Sequence, residues 1–193
     1  MRKILLIALL AATGASVFAQ TESESLKALQ TEAKEFKHRK RYVIRYDEAA
    51  DQTNVYFHYA TFKGVEEDTD DKFRTGIGAG FSFTGRDFAG STDRYALTFT
   101  AGPGWSFLID RKVTLTADGK TLEFGEGERD ASVERTLYDK RRTGEILLFR
   151  IGRRDLETLA GAQRVELSLG GRDYLLKEDH QQIFKNILAL GTP

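Results

Sequence analysis

The chain has 193 residues, two prolines, no cysteine and 29 basic side chains against 29 acidic ones. Without cysteine there is no disulfide, no thiol nucleophile and no thiolate zinc site, so stability must rest on burial and hydrogen bonding. A balanced charge makes nucleic acid and anionic membrane surfaces poor partners.

The chain opens with Arg2 and Lys3, an apolar run over residues 4–12, and small residues leading to Val17-Phe18-Ala19. This is the pattern of a secretory signal peptide over residues 1–19. The apolar run is too short to span a bilayer as a helix, and Val17 and Ala19 suit cleavage before Gln20. No cysteine follows the cut, so the usual lipoprotein anchor is not expected, nor an integral membrane segment after cleavage. The remaining 174 of 193 residues hold 27 basic and 29 acidic side chains once Arg2 and Lys3 leave, a formal charge of −2. That length suits one domain.

Residues 20–41 form a charged leader, helical or flexible, in which Leu26, Leu29, Ala33 and Phe36 recur on one helical stripe. Thr21 with Glu24 fits a capping box at its start. From residue 42 the period changes to two, and residues 42–193 read as a single β-rich domain. Strands are expected over 42–46 and 54–59, joined by a 47–53 connection that is long for a tight hairpin. An acidic loop, Glu66-Glu67-Asp68-Thr69-Asp70-Asp71, precedes a strand over 73–83. There Gly76, Gly78 and Gly80 share one face, and Ile77, Ala79, Phe81 and Phe83 the other. A strand over 95–100 is stopped by Gly102-Pro103-Gly104.

The clearest hairpin covers residues 111–124, with Asp118-Gly119 at the turn, pairing Leu115 with Leu122 and Val113 with Phe124. A second turns at Gly170-Gly171 and pairs Leu167 with Tyr174 and Val165 with Leu176. Between them lie a strand over 145–151 and a short helix over 155–162 with Leu156, Leu159 and Ala160 inward. A final helix over 178–190 buries Ile183, Phe184, Ile187 and Leu188 and leaves Gln181, Gln182, Lys185 and Asn186 to water. The expected fold class is α+β, a predominantly antiparallel β-sandwich or open barrel with a short late helix and a C-terminal helix.

Chemistry-bearing motifs are sparse. Thr75-Gly76-Ile77-Gly78-Ala79-Gly80-Phe81 lacks the third glycine and following helix of a dinucleotide site, so the glycines are read as permitting close backbone approach. The acidic loop fails as a calcium loop at Lys72. His38, His58 and His180 lack the spacing of a helical metal site, and no G-x-S-x-G elbow occurs. No catalytic residue, metal ligand or cofactor is therefore assigned. The basic clusters Lys37-His38-Arg39-Lys40-Arg41 and Lys140-Arg141-Arg142 could draw an anionic glycan or lipid headgroup. Glu35 and Asp139 beside them favour an ordinary solvated face. The suggestive surface is the strand in which Val55, Phe57 and Tyr59 fill the core while Tyr56 and His58 face the other way. Tyr56 and His58 are the candidate binding residues. Trp105, Phe107 and Ile109 alternate as core residues would.

One pattern joins several of these pieces: Tyr46-Asp47 with Asp51, Thr53 and Val55; Leu115 with Ala117-Asp118-Gly119; and Phe149 with Ile151, Leu156, Leu159-Ala160, Ala162 and Val165-Glu166-Leu167. In this the chain resembles a widespread group of uncharacterised bacterial exported domains of unassigned function. The resemblance implies a single compact exported domain and brings no catalytic residues. The resulting expectation is an exported protein, periplasmic or secreted, acting as a non-enzymatic binding or interaction module on an unknown envelope protein or small ligand. The alternatives are a carrier of a small apolar ligand, which an interior filled by Phe81, Phe83, Phe107, Phe124 and Phe149 would disfavour, and a hydrolase of cell-wall or extracellular polymers.

Overall fold

The computed structural model describes residues 23–58, 60–62, 75–88, 90–101, 111–129 and 145–192. The signal-peptide reading, Thr21, Tyr59, the acidic loop, the 102–104 stop, Trp105, Phe107, Ile109 and the cluster at 140–142 lie outside them. The chain is α+β. In order come α1 (Glu24–Glu35), a 3-10 turn (Arg39–Arg41), β1 (Tyr42–Asp47), β2 (Gln52–Phe57), β3 (Ala60–Phe62), β4 (Thr75–Thr84) and β5 (Arg94–Ala101). Then follow β6 (Lys112–Ala117), β7 (Lys120–Glu126), β8 (Glu128–Arg129), β9 (Glu145–Gly152), α2 (Arg153–Gly161), β10 (Val165–Leu169), β11 (Arg172–Leu176) and α3 (Glu178–Leu190). One sheet runs β1-β2-β4-β5-β9-β8, with β3 also paired to β4, and the other runs β11-β10-β6-β7. Every pairing among the described residues is antiparallel.

The centre of the first sheet is β4, buried from Thr75 to Phe81 on both of its faces. Its inward side chains continue an apolar row across the sheet, Val55 opposite Phe81, Ile77 opposite Phe99 and Ala79 opposite Leu97. Leu97 in turn faces Phe149, and Phe99 faces Leu147. Each such side chain contributes about 1.5–3 kcal/mol when fully buried. On the other face the glycines let neighbouring backbone close in, as their alternation suggests. A Cβ on Gly78 would sit 2.7 Å from the Phe57 carbonyl oxygen and 2.9 Å from that of His58. One on Gly80 would sit 2.6 Å from the Cβ of Tyr56. The register steps by one residue between the pairs Tyr56–Gly80 and Ala60–Ile77, a bulge of the kind that glycine accommodates.

Both predicted hairpins are present. Asp118 and Gly119 take φ of 48° and 82°, which suits the right-handed twist of the strands. The Asp118 carboxylate also accepts from the backbone N–H of Gln163 and Arg164, at 2.9 and 2.8 Å, so the same turn secures the entry to β10. Leu115 faces Leu122 as expected, but Val113 does not pair singly with Phe124. A bulge with Gly125 at φ 73° shifts the register between Lys112 and Thr114. Leu167 faces Tyr174 and Val165 faces Leu176.

The link between β1 and β2 is tighter than its composition suggests, with Asp47 directly opposite Gln52. The Asp47 carboxylate accepts from the N–H of Ala49 and Ala50, and Asp51 takes φ 47°, which together close the turn in four residues.

α3 is the element that touches most of the fold, packing on α2, α1, β4, β2 and β11. Ile183, Phe184, Ile187 and Leu190 are buried, whereas Leu188 is only partly so. Gln181 and Asn186 are buried as well, contrary to the amphipathic reading. Asn186 is tolerated there because its amide donates to the Tyr42 hydroxyl at 2.7 Å and accepts from Gln182 at 2.8 Å. α1 is docked rather than loose. Leu26, Leu29 and Ala33 are buried, Ser23 caps the helix, and the Ser23 and Ser25 hydroxyls both donate to the Arg86 carbonyl.

Gly78→Ala is expected to lower the unfolding free energy by about 1–3 kcal/mol, since two backbone oxygens occupy the space its methyl needs. Gly161→Ala, with open space around it at the end of α2, should be neutral or gain about 0.5–1 kcal/mol. Denaturant unfolding of the two variants beside the parent protein checks both.

Candidate functional site: the outer face of the first hairpin

Alternation along β2 sends Thr53, Val55 and Phe57 into the buried layer and Tyr56 outward, where it stays 37% exposed. Tyr56 lies between Val43 on β1 and Gly80 on β4. Gly80 has no side chain to lean across it. His58 follows just past the end of β2, half-buried, with its ring edge-on to Tyr56 at a centroid distance of 5.5 Å and an angle of 80°. Its backbone N–H donates to the Arg41 carbonyl at 2.9 Å, which places the 3-10 turn directly across from it. Burial first, and the positive charge of Arg41 second, hold the His58 pKa below its usual value. At neutral pH the imidazole is therefore uncharged, able both to donate and to accept a hydrogen bond.

The structure thus brings Tyr56 and His58 together and adds Arg41, which the sequence reading grouped only with its basic neighbours. The hairpin register contains the missing signal: pairing Tyr42 with Phe57 brings Arg41 opposite His58. The 47–53 connection is long for a tight hairpin by composition, yet pairing extends to Asp47 and Gln52. Beyond Arg41 the chain bends sharply. His38 adopts the left-handed conformation with φ 63°, and residues 37–41 are all exposed. Residues 34–41 line an open depression of about 620 Å³. Lys37 reaches out of it to pair with Asp179 on α3 at 2.7 Å, which raises the lysine pKa and lowers that of the aspartate.

A second depression, of about 560 Å³, is lined by Leu26, Arg45, Tyr46, Asp47, Glu48, Ala49 and Arg86. Its polar groups are largely engaged with one another. Arg86 lies 4.3 Å over the Tyr46 ring and pairs with Glu48 at 3.1 Å, and the Tyr46 hydroxyl donates to Asp51 at 2.7 Å. It reads as a brace between the hairpin and the segment that follows β4.

The three histidines stay apart: His38 in the exposed turn, His58 on the sheet, and His180 buried in α3, where its Nδ1 accepts from the Lys177 N–H at 2.9 Å. Among the described residues no group of three or more His, Asp or Glu is placed to hold a metal ion. Nor is any helix there long and apolar enough to cross a membrane. Comparison of the chain with family models, with curated proteins and with solved structures finds no match.

Since burial and Arg41 favour the neutral imidazole, His58 contributes fully to stability above the ordinary histidine pKa of 6.5. That contribution is lost as pH falls below this value through the depressed folded one. The parent protein should therefore lose more thermal stability between about pH 7 and pH 5 than His58→Gln does, which thermal unfolding across that range checks.

Proposed function

We propose that this chain is an exported, non-enzymatic binding module whose recognition surface is the outer face of β1 and β2 around Tyr56 and His58. The observation that carries the reading is the half-exposed Tyr56 ring beside a neutral His58 and the Arg41 turn, on a strand whose alternate residues are anchored in the core. Tyrosine suits such a role because it offers a large, stiff contact area with a polar tip. Export, to the periplasm or outside the cell, rests on the residue pattern at 1–19 and on the resemblance to exported domains.

The packing of the core supports a surface site over interior cargo. Phe81 and Phe149 are buried, and Phe83 and Phe124 pack against the same cluster, where a carrier would need free volume. Both sheets contribute to that one cluster, which supports a β-sandwich closed by α3 over an open barrel.

Two outcomes follow. N-terminal sequencing of the chain recovered from the envelope or medium should begin at Gln20; a chain retained in the cytoplasm with residues 1–19 intact overturns the export reading. In retention assays on immobilised envelope extract, Tyr56→Ala should weaken binding by about tenfold. Leu175→Ala, which removes the other large exposed apolar side chain among the described residues, should leave it unchanged. Equal retention of all three proteins would remove Tyr56 from the site.

A further inference from the structure

Charge on this chain is balanced overall, yet basic side chains are concentrated on the turn that ends at Arg41, across from His58. The depression at residues 34–41 is lined by five formal cations, Lys34, Lys37, Arg39, Lys40 and Arg41, against the single carboxylate of Glu35. The nearest acidic groups on the facing element are Glu178 and Asp179 of α3, and Asp179 is already committed to Lys37. Arg39 and Lys40 have no ion-pair partner among the described residues. The left-handed residue His38 and the 3-10 turn that follows it display consecutive basic side chains around one concave surface, instead of spreading them along a strand.

From this we infer that the surface around Tyr56 takes an anionic saccharide, its acidic groups held by Arg39 and Lys40 and a sugar ring laid against Tyr56. The inference rests on the binding surface proposed above and names its ligand class. Guanidinium groups match carboxylate and sulfate oxygens in pairs, and such charge-assisted bonds are the stronger kind. Arg41 joins the two halves of the site, because it stands across from His58, whose ring touches that of Tyr56. Two strand residues separate the Arg41 and Tyr56 levels, roughly 7 Å, so a short oligosaccharide spans them. A membrane surface fits less well. Interfacial binding needs a sizeable apolar face beneath its cations, and Tyr56 is the one large exposed apolar residue described near this turn.

The test uses the purified chain and four probes: polygalacturonate, inorganic polyphosphate, neutral dextran, and vesicles of equimolar phosphatidylcholine and phosphatidylglycerol. Polygalacturonate should bind, and the double variant Arg39→Glu, Lys40→Glu should weaken it by about tenfold or more, with thermal stability unchanged because both side chains are exposed. Tyr56→Ala should weaken polygalacturonate several-fold while leaving any polyphosphate binding as it was, since polyphosphate carries charge and no ring. Neutral dextran should not bind. The inference is overturned if polygalacturonate fails to bind, if charge reversal leaves its affinity unchanged, if Tyr56→Ala affects both polyanions equally, or if the vesicles bind and the saccharide does not. Should the saccharide fail while retention on envelope extract still depends on Tyr56, the ligand class is wrong and the surface reading stands.

Discussion

The close approach of β2 to the glycine face of β4 is the constraint on which the rest of the molecule depends. Gly78 and Gly80 leave room for the backbone of residues 55–58 where any side chain would meet carbonyl oxygen or Cβ atoms at under 3 Å. That contact sets the register of β2, and the register decides which residues enter the core and which face out. With Val55 and Phe57 committed inward, Tyr56 has no choice but the surface. The one-residue step between the β2 and β3 pairings occurs at the same place. It ends the regular ladder just where His58 meets the Arg41 carbonyl. The candidate site is thus a by-product of how β2 packs, with apolar residues inward on one face and glycine beside Tyr56 on the other.

A second dependence runs through α3. Its apolar side chains reach strands of both sheets and two other helices, so the helix acts as the shared wall of a single core. Its polar residues matter in a different way. Asn186 holds Tyr42, which stacks edge-on with Phe36 and Phe57 at 5.3 and 4.8 Å, and Asp179 holds Lys37. These contacts brace both ends of residues 36–42, which explains how a basic turn with a left-handed residue keeps a defined shape. A cluster of like charges on a mobile leader would attract anions diffusely. Held in place, the same charges present a geometry.

Local chemistry made much of the fold legible. Asp118-Gly119 and Gly170-Gly171 announce their turns because few other residue pairs accept positive φ, and the registers that follow pair Leu115 with Leu122 and Leu167 with Tyr174. The inward face of α2 follows from helical periodicity alone, as do the membership of Leu26, Leu29 and Ala33 in one stripe of α1 and the apolar core of the α3 face at Ile183, Phe184 and Ile187. Legibility failed where a residue's partner is distant. Asn186 reads as solvent-facing until Tyr42, 144 positions away, arrives to satisfy it. The Val113–Phe124 pairing gives way because Gly125 can take a bulge that a strict alternation rule does not anticipate. In the site, Tyr56 and His58 were visible from period-two alternation, whereas the adjacency of Arg41 required knowing that Asp47 closes a four-residue turn.

By itself the amino-acid order determined the longer elements, the two principal turns and which face of β2 is apolar, since these depend on φ preferences and on periodicities within a few residues. It also carries the export pattern at residues 1–19, which is a property of local hydropathy. Tertiary structure alone decided that α1 docks, that Gln181 and Asn186 can be buried, and that the basic turn lies beside the exposed tyrosine. Each of these is an energy between groups far apart in the chain. Desolvation and pairing across such distances are set by three-dimensional proximity, which no local propensity encodes.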